Sequence, residues 1–186
     1  MLNDVVRLLA VLRGRTLFTF SGADGRLPLT TAPQFLQAEL RSGSRGTLAD
    51  ASIGLRTALA LPTIIEIVVI VLAAVVLFGI VRRIAIAAAF AQPVLRRWRL
   101  LAIILTGGGV LQGLTDTVVG RFIWANVTGD ASDQAKAAFL GGDYSGIGLA
   151  LPNWPVPLIL VGVVAGSLAI AFRSGADLER QTVGVI

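Results

Sequence analysis

Three long apolar stretches alternate with polar segments along the chain. The hydropathy pattern predicts membrane-spanning helices at about residues 61–81, 100–119 and 156–172. A helix of roughly 20 apolar residues is needed to cross the hydrocarbon core of a bilayer, and the third stretch is near the lower limit of that length. The chain is therefore predicted to be an all-α integral membrane protein, with a bundle of three transmembrane helices at residues 61–186.

The first 60 residues contain no stretch that is long enough to span a bilayer. Leu2, Val5, Leu9 and Leu12 fall on one helical stripe, which the neighbouring charged residues interrupt. This pattern predicts an amphipathic helix that lies in the membrane interface. Residues 1–60 are accordingly expected to form an extramembrane or interfacial segment.

Shorter elements are predicted outside the three spans. The turn signal at residues 21–25 separates two β-prone runs, 16–20 and 27–31, which could pair as a hairpin. Thr31 and Gln34 have the spacing of a capping box, which predicts a short helix at residues 32–40. A further short helix is expected to start near residues 130–132 and to end at residues 141–142.

Composition supports a membrane class and narrows the possible chemistry. The 186 residues are 55% hydrophobic and 15% charged, with a mean hydropathy of +0.80, which is too apolar for an ordinary soluble domain. The chain has no Cys and no His, and this excludes disulfides, thiol nucleophiles and the common zinc and haem ligands. Neither a cofactor nor a catalytic residue is predicted.

The net charge of +5 is concentrated in one segment. Residues 82–99 contain five arginines and no acid, and an excess of basic residues marks a cytoplasmic loop. This orientation places residues 1–60 and 120–155 outside and residues 173–186 inside. Membrane orientation explains the net positive charge of the chain better than direct binding of nucleic acid does. The arginines of this cytoplasmic basic turn are Arg82, Arg83, Arg96, Arg97 and Arg99.

Two acidic residues, Glu66 and Asp116, lie inside the apolar stretches. A charge in hydrocarbon costs at least ~2.5–3.5 kcal/mol, so both side chains need a partner or water. We expect a polar cluster with Gln112 and Arg121. The favoured interpretation is a structural network in which Arg121 is the counter-charge, so that Arg121→Ala destabilises more than Glu66→Gln. The alternative is an ion or proton relay, or a site for a small polar ligand.

Glycines in the second and third spans have the small-xxx-small spacing that lets helices approach closely. Gly109 and Gly113 form one pair, and Gly162 and Gly166 form the other. Packing of these two spans against each other is favoured over homodimerisation. Gly79, near the end of the first span, is expected to face lipid.

The end of the chain resembles a bacterial membrane family. The motif FRSGADL at residues 172–178, the ending GVI at residues 184–186 and the arginine-bearing hairpin at residues 67–114 resemble the family called domain of unknown function 2975. Its members look like four-helix proteins, whereas the family's first helix is not recognisable in residues 1–20. The predicted orientation also leaves residues 1–60 outside with no span before them. Either this segment is translocated directly, or the chain begins one helix later than its relatives.

The resemblance implies a non-enzymatic protein of the bacterial inner membrane. Genes of that family tend to lie beside small helix-turn-helix regulators, which implies a membrane sensor or anchor for such a regulator. Its partners would be the lipid bilayer and a protein that binds the cytoplasmic face. The alternative is a small accessory subunit that packs against a larger membrane transport or respiratory complex.

Overall fold

The computed structural model describes residues 2–16, 25–84 and 92–183, and these are mostly helical. The helices are α1 (Leu2–Arg13), α2 (Ile53–Ile84), α3 (Gln92–Thr128), α4 (Asp133–Leu140) and α5 (Val156–Val183), and the strands are β1 (Phe35–Leu40) and β2 (Tyr144–Leu149). Within the described ranges, α2, α3 and α5 are long and apolar enough to cross a membrane. This confirms the predicted number of candidate spans.

The helices are longer than the predicted spans. α3 has 37 residues, or about 55 Å at 1.5 Å per residue, whereas the hydrocarbon core is only about 30 Å thick. α2 begins at Ile53 rather than near residue 61. α5 begins at Val156 as predicted and continues well past residue 172. Both ends of the predicted cytoplasmic turn, residues 82–84 and 92–99, are helical and belong to α2 and α3. Residues 85–91 of that turn lie outside the described residues.

The chain divides into two compact units. Unit 1 comprises Met1–Ile67 and Gln112–Trp154, and unit 2 comprises Val68–Leu111 and Pro155–Ile186. The boundary predicted at residue 60 is therefore corrected, because residues 112–154 pack with the N-terminal segment. Hydropathy could not show this, since the contacts join segments that are far apart in sequence.

Unit 1 contains a two-stranded antiparallel sheet that was not predicted. β1 pairs with β2, with Phe35 opposite Leu149 and Ala38 opposite Ile147. The helix predicted at residues 32–40 was wrong because β1 finds its hydrogen-bonding partner about a hundred residues later, where no local signal can show it. Thr31, which was expected to cap that helix, ends a 3-10 turn that starts at Leu29.

Other short elements of unit 1 match the prediction in part. α1 is helical as expected, and its position in a membrane interface stays a prediction. Residues 17–24 of the predicted hairpin lie outside the described residues, although Arg15 and Arg26 beside them form an antiparallel bridge. α4 is confirmed: Ser132 caps it by accepting a hydrogen bond from the Ala135 amide, and Gly141 ends it at φ 76°.

A hydrophobic core holds unit 1 together. It draws on α1, β1, the start of α2, the end of α3 and α4. The described residues up to position 60 are thus part of a folded unit rather than a surface segment alone. The largest fully buried side chains of this core are Leu29, Leu48, Leu55, Leu59 and Ile123.

Unit 2 is built from the apolar parts of α2 and α3 together with α5. Gly109 lies against the side chain of Ile159, and a Cβ at Gly162 would lie 2.7 Å from the backbone nitrogen of Thr106. Backbones of α3 and α5 therefore approach closely at these two glycines, which is the intramolecular packing that the glycine spacing favours. Gly166 makes only an ordinary contact with Ala102.

The surroundings of Gly113 and Gly79 differ from those predicted. Gly113 belongs to unit 1, where it lies against the ring of Trp154. The prediction that Gly79 faces lipid was wrong, because the guanidinium of Arg97 covers it and donates a hydrogen bond to its carbonyl oxygen.

Candidate functional site: a polar pocket in unit 1

A small polar pocket lies in unit 1 beside the two acids that the sequence singled out. Its volume is about 100 Å³, enough for about three water molecules at roughly 30 Å³ each. Side chains from α1, α2 and α3 and from two loops line it. The lining residues are Arg7, Pro33, Gln34, Pro62, Thr63, Glu66, Gln112, Asp116, Leu151 and Asn153.

Asp116 is held by neutral donors on both of its carboxylate oxygens. Its side chain is buried, at 8% exposure. Oδ1 accepts a 3.0 Å hydrogen bond from the Gln34 side-chain amide, and Oδ2 accepts a 2.7 Å bond from the Asn153 backbone N–H. Hydrogen bonds to an ionised acceptor are stronger than neutral ones. Asp116 therefore fastens α3 to two loops that are distant in sequence.

Glu66 is less completely held. Its Oε2 accepts a 3.2 Å hydrogen bond from the Gln112 amide, which links α2 to α3. Its Oε1 makes no hydrogen bond within the described part of the chain. The side chain is half-buried and lines the pocket. Glu66 thus keeps one oxygen without any hydrogen bond, whereas each oxygen of Asp116 already accepts one.

The two glutamines add buried acceptors that have no donor. Gln34 and Gln112 are each 7% exposed, and their Oε1 atoms have no hydrogen-bond partner among the described residues. Each glutamine uses its amide nitrogen on a carboxylate, which accepts only, so the oxygen cannot exchange places with the nitrogen. The lining of the pocket thus combines two acids, and two glutamine oxygens that lack a donor, with the cationic side chain of Arg7.

Arg121 does not belong to this cluster, and its predicted role as counter-charge was wrong. Arg121 follows Asp116 by five residues in α3. Because each residue of a helix turns by about 100°, the two side chains lie about 140° apart around the helix axis. Arg121 is accordingly exposed and absent from the pocket lining. The arginine that does line the pocket is Arg7, which is exposed and forms no ion pair within the described part of the chain.

Sequence reasoning found Glu66, Asp116 and Gln112 but missed Gln34 and the Asn153 backbone. Both of these lie outside the apolar stretches, where polar residues are ordinary and carry no signal. Gln34 was noticed only as part of a capping box. Its proximity to Asp116 depends on tertiary folding over 82 positions of sequence.

The arginines of the basic turn are not all alike. Arg82, Arg83 and Arg97 line a groove in unit 2. Arg96 and Arg99 are exposed and lie outside its lining.

No protein-family model matches this chain, and neither the curated proteins nor the solved structures contain a match to it. The resemblance to domain of unknown function 2975 therefore stays a prediction. In the residues that the structure describes, no group of three or more His, Cys, Asp or Glu side chains could hold a metal ion.

Proposed function

We propose that this protein is a non-enzymatic sensor or anchor of the bacterial inner membrane. Unit 1 binds a small cation or ammonium compound in its polar pocket, and the arginine-bearing segment 82–99 meets a small helix-turn-helix regulator in the cytoplasm. The observation that carries the proposal is the pair of buried, unpartnered amide oxygens beside Glu66. The lack of Cys and His in the chain favours binding over catalysis.

The pocket favours a ligand that donates hydrogen bonds or carries positive charge. A buried polar atom that is left without a partner costs roughly 1–3 kcal/mol. A ligand that supplies donors to Gln34 and Gln112 recovers this free energy. Glu66 and Asp116 bring two carboxylates to the lining against the single guanidinium of Arg7, so the formal charge of the lining is negative. The small volume limits the ligand to a few heavy atoms.

Thermal unfolding of the detergent-solubilised protein tests the ligand. Sodium, potassium and methylammonium chloride are compared at constant ionic strength, with the bulky N-methyl-D-glucamine ion as the reference. A bound ligand at a hundred times its Kd stabilises the folded state by about 2.7 kcal/mol. At least one small cation should raise the unfolding midpoint, whereas the absence of any shift would refute the pocket as a cation site.

A matched pair of variants ties the shift to the pocket. Glu66→Gln should abolish the stabilisation by the cation. Glu39→Gln should keep it, because Glu39 is exposed on β1 and, like Glu66, accepts a hydrogen bond from a glutamine amide. Equal losses in both variants would mean that the cation acts on unit 1 in general.

The hydrogen bonds of unit 1 also support the proposed topology. A backbone pairing between β1 and β2 requires residues 35–40 and 144–149 to lie on one side of a bilayer. This agrees with an orientation in which residues 1–60 and 120–155 are both outside. Single cysteines in this Cys-free chain test it: Ser42→Cys and Gln134→Cys should react with an impermeant maleimide in intact cells, and Arg96→Cys and Arg173→Cys should not.

A groove in unit 2 favours a second candidate function, that of an accessory subunit of a larger membrane complex. It has a volume of about 430 Å³ and is lined by aliphatic side chains and Trp98, with the small residues Ala73, Ala74 and Ala165 among them. Such a surface can receive an apolar helix of another subunit. Purification in mild detergent separates the two candidates: a co-purifying small DNA-binding protein supports the sensor, and a set of large membrane subunits supports the accessory role.

A further inference from the structure

The arginine groove of unit 2 combines positive charge with apolar surface. Its volume is about 610 Å³, and it runs along the ends of α2 and α3 that meet the basic turn. Arg82, Arg83 and Arg97 supply the charge. The rest of the lining is apolar apart from the backbone at Gly79, and consists of Val75, Val76, Phe78, Gly79 and Leu100.

The charge in this groove is not neutralised by neighbouring sequence. No Asp or Glu occurs between Glu66 and Asp116. Within the described part of the chain, the side chains of Arg82 and Arg83 form no hydrogen bond or ion pair. The positive charges of these two residues stabilise the C-terminal end of α2, where the helix dipole is negative. Most of their N–H donors still have no acceptor within the described part of the chain.

Gly79 and Arg97 show that one arginine is positioned. The Arg97 guanidinium donates a hydrogen bond to the Gly79 carbonyl oxygen, and a Cβ at position 79 would collide with that guanidinium. Arg97 is half-buried there rather than extended into solvent. Since arginine has five N–H donors, this single bond leaves the guanidinium able to bind an anion.

We propose that this groove binds an anionic phospholipid. Arg82, Arg83 and Arg97 hold the phosphate, because a guanidinium matches phosphate oxygens with paired hydrogen bonds. Val75, Phe78 and Leu100, which are between 47% and 71% exposed, receive an acyl chain. A soluble anion would contact only the arginines, whereas a phospholipid would contact both the arginines and the apolar surface. The combination of charge and apolar surface therefore favours a lipid.

Native mass spectrometry of the intact protein in neutral detergent tests the proposal, with phosphatidylglycerol and phosphatidylcholine as the probes. Phosphatidylglycerol should bind at least about tenfold more tightly. Arg83→Gln and Arg97→Gln should each weaken its binding about fivefold, the factor expected for one arginine near an anionic lipid. Arg96→Gln and Arg99→Gln are the matched controls, because these arginines lie outside the groove, and they should leave binding unchanged.

Three outcomes would overturn the proposal. Equal affinity for the two lipids would show that no charge is recognised. Equal weakening by the groove and control variants would show diffuse attraction rather than a site. Competition by millimolar inorganic phosphate would identify a soluble anion as the ligand. The unfolding midpoint of each variant without added lipid shows whether it has folded, and Arg83→Gln removes no hydrogen bond within the described chain.

Discussion

The two units differ in the partners that their charged side chains find within the chain. In unit 1, buried Asp116 is satisfied on both oxygens by neutral donors, and exposed acids pair with arginines, as in Arg41 with Asp143 at 3.4 Å. In unit 2, Arg97 finds only a backbone carbonyl, and Arg82 and Arg83 find no partner among the described residues. Unit 1 therefore satisfies buried Asp116 internally, whereas unit 2 leaves Arg82 and Arg83 without a partner among the described residues.

This difference separates a structural network from a binding surface. Hydrogen bonds to a buried carboxylate stabilise the fold only while every partner is present, since each lost partner leaves a desolvated group. Exposed guanidinium groups contribute little to stability and can be changed without unfolding the protein. Variants of Asp116 and Gln34 should therefore act on stability, whereas a variant of Arg82, which is exposed, should act on binding.

Removal of Asp116 should have the largest effect on stability. Asp116→Ala leaves the Gln34 amide and the Asn153 N–H without an acceptor, and hydrogen bonds to a charged group contribute about 1.5–3 kcal/mol each. We expect a loss on the order of 3 kcal/mol or more, measured by thermal or denaturant unfolding in detergent. Gln34→Ala should cost less, because Asp116 then keeps its bond from Asn153. A loss below 1 kcal/mol in Asp116→Ala would mean that water replaces the network.

Close packing in unit 2 gives the next largest effect. Gly162→Ala places a methyl group against the Thr106 backbone, and overpacking of this kind costs roughly 1–3 kcal/mol. Gly107→Ala is the control, because nothing lies within 4 Å of a Cβ there. The control should be neutral or slightly stabilising, since alanine favours a helix over glycine by roughly 0.8–1 kcal/mol. The same sign of effect in both variants would contradict close approach at Gly162.

Sequence predicted the parts of this fold that depend on local pattern. The three candidate spans follow from hydropathy, and α4 follows from Ser132 and the glycine at position 141. Sequence failed where distant segments meet. Local sequence favours a helix at β1, because its partner β2 is remote. It also favours Arg121 as the partner of Asp116, because Arg121 is near in sequence, although its side chain is turned away on the helix.

The same limit applies to the candidate site. A charged residue is unusual within an apolar stretch, so the sequence alone singles out Glu66 and Asp116. A polar residue is ordinary in a loop, so the sequence does not single out Gln34.

Tyr144 offers a smaller effect that depends on pH. Its hydroxyl is buried and has no hydrogen-bond partner in the described structure. Burial, and then the negative charge of Asp50, raise the pKa of Tyr144 above its usual value of 10.0. Stability that depends on the neutral phenol is fully present below pH 10 and is lost as the pH rises through the raised pKa, because the unfolded chain releases its proton first.

Tyr144→Phe should therefore stabilise unit 1 by up to about 1 kcal/mol at pH 8, since it removes a buried hydroxyl without a partner. The advantage over the wild type should grow above pH 10. Tyr144 is the only tyrosine in the chain, so ultraviolet absorbance of the phenolate reports its titration directly. A titration midpoint at or below pH 10, or a stability difference that does not change with pH, would contradict burial of the hydroxyl.

Arg121 should show the smallest effect, and it is the variant that most directly tests how the acids of unit 1 are satisfied. If Arg121 were the counter-charge of a buried acid, its removal would cost about 3–5 kcal/mol. Because Arg121 is exposed and Asp116 is held by Gln34 and Asn153, Arg121→Ala should change stability by less than about 0.5 kcal/mol, as surface substitutions do. Glu66→Gln should cost more than Arg121→Ala, because it replaces the charged acceptor of the Gln112 amide. Unfolding of both variants at one pH gives the order directly. The reverse order would restore Arg121 as the counter-charge and remove the contrast between the two units.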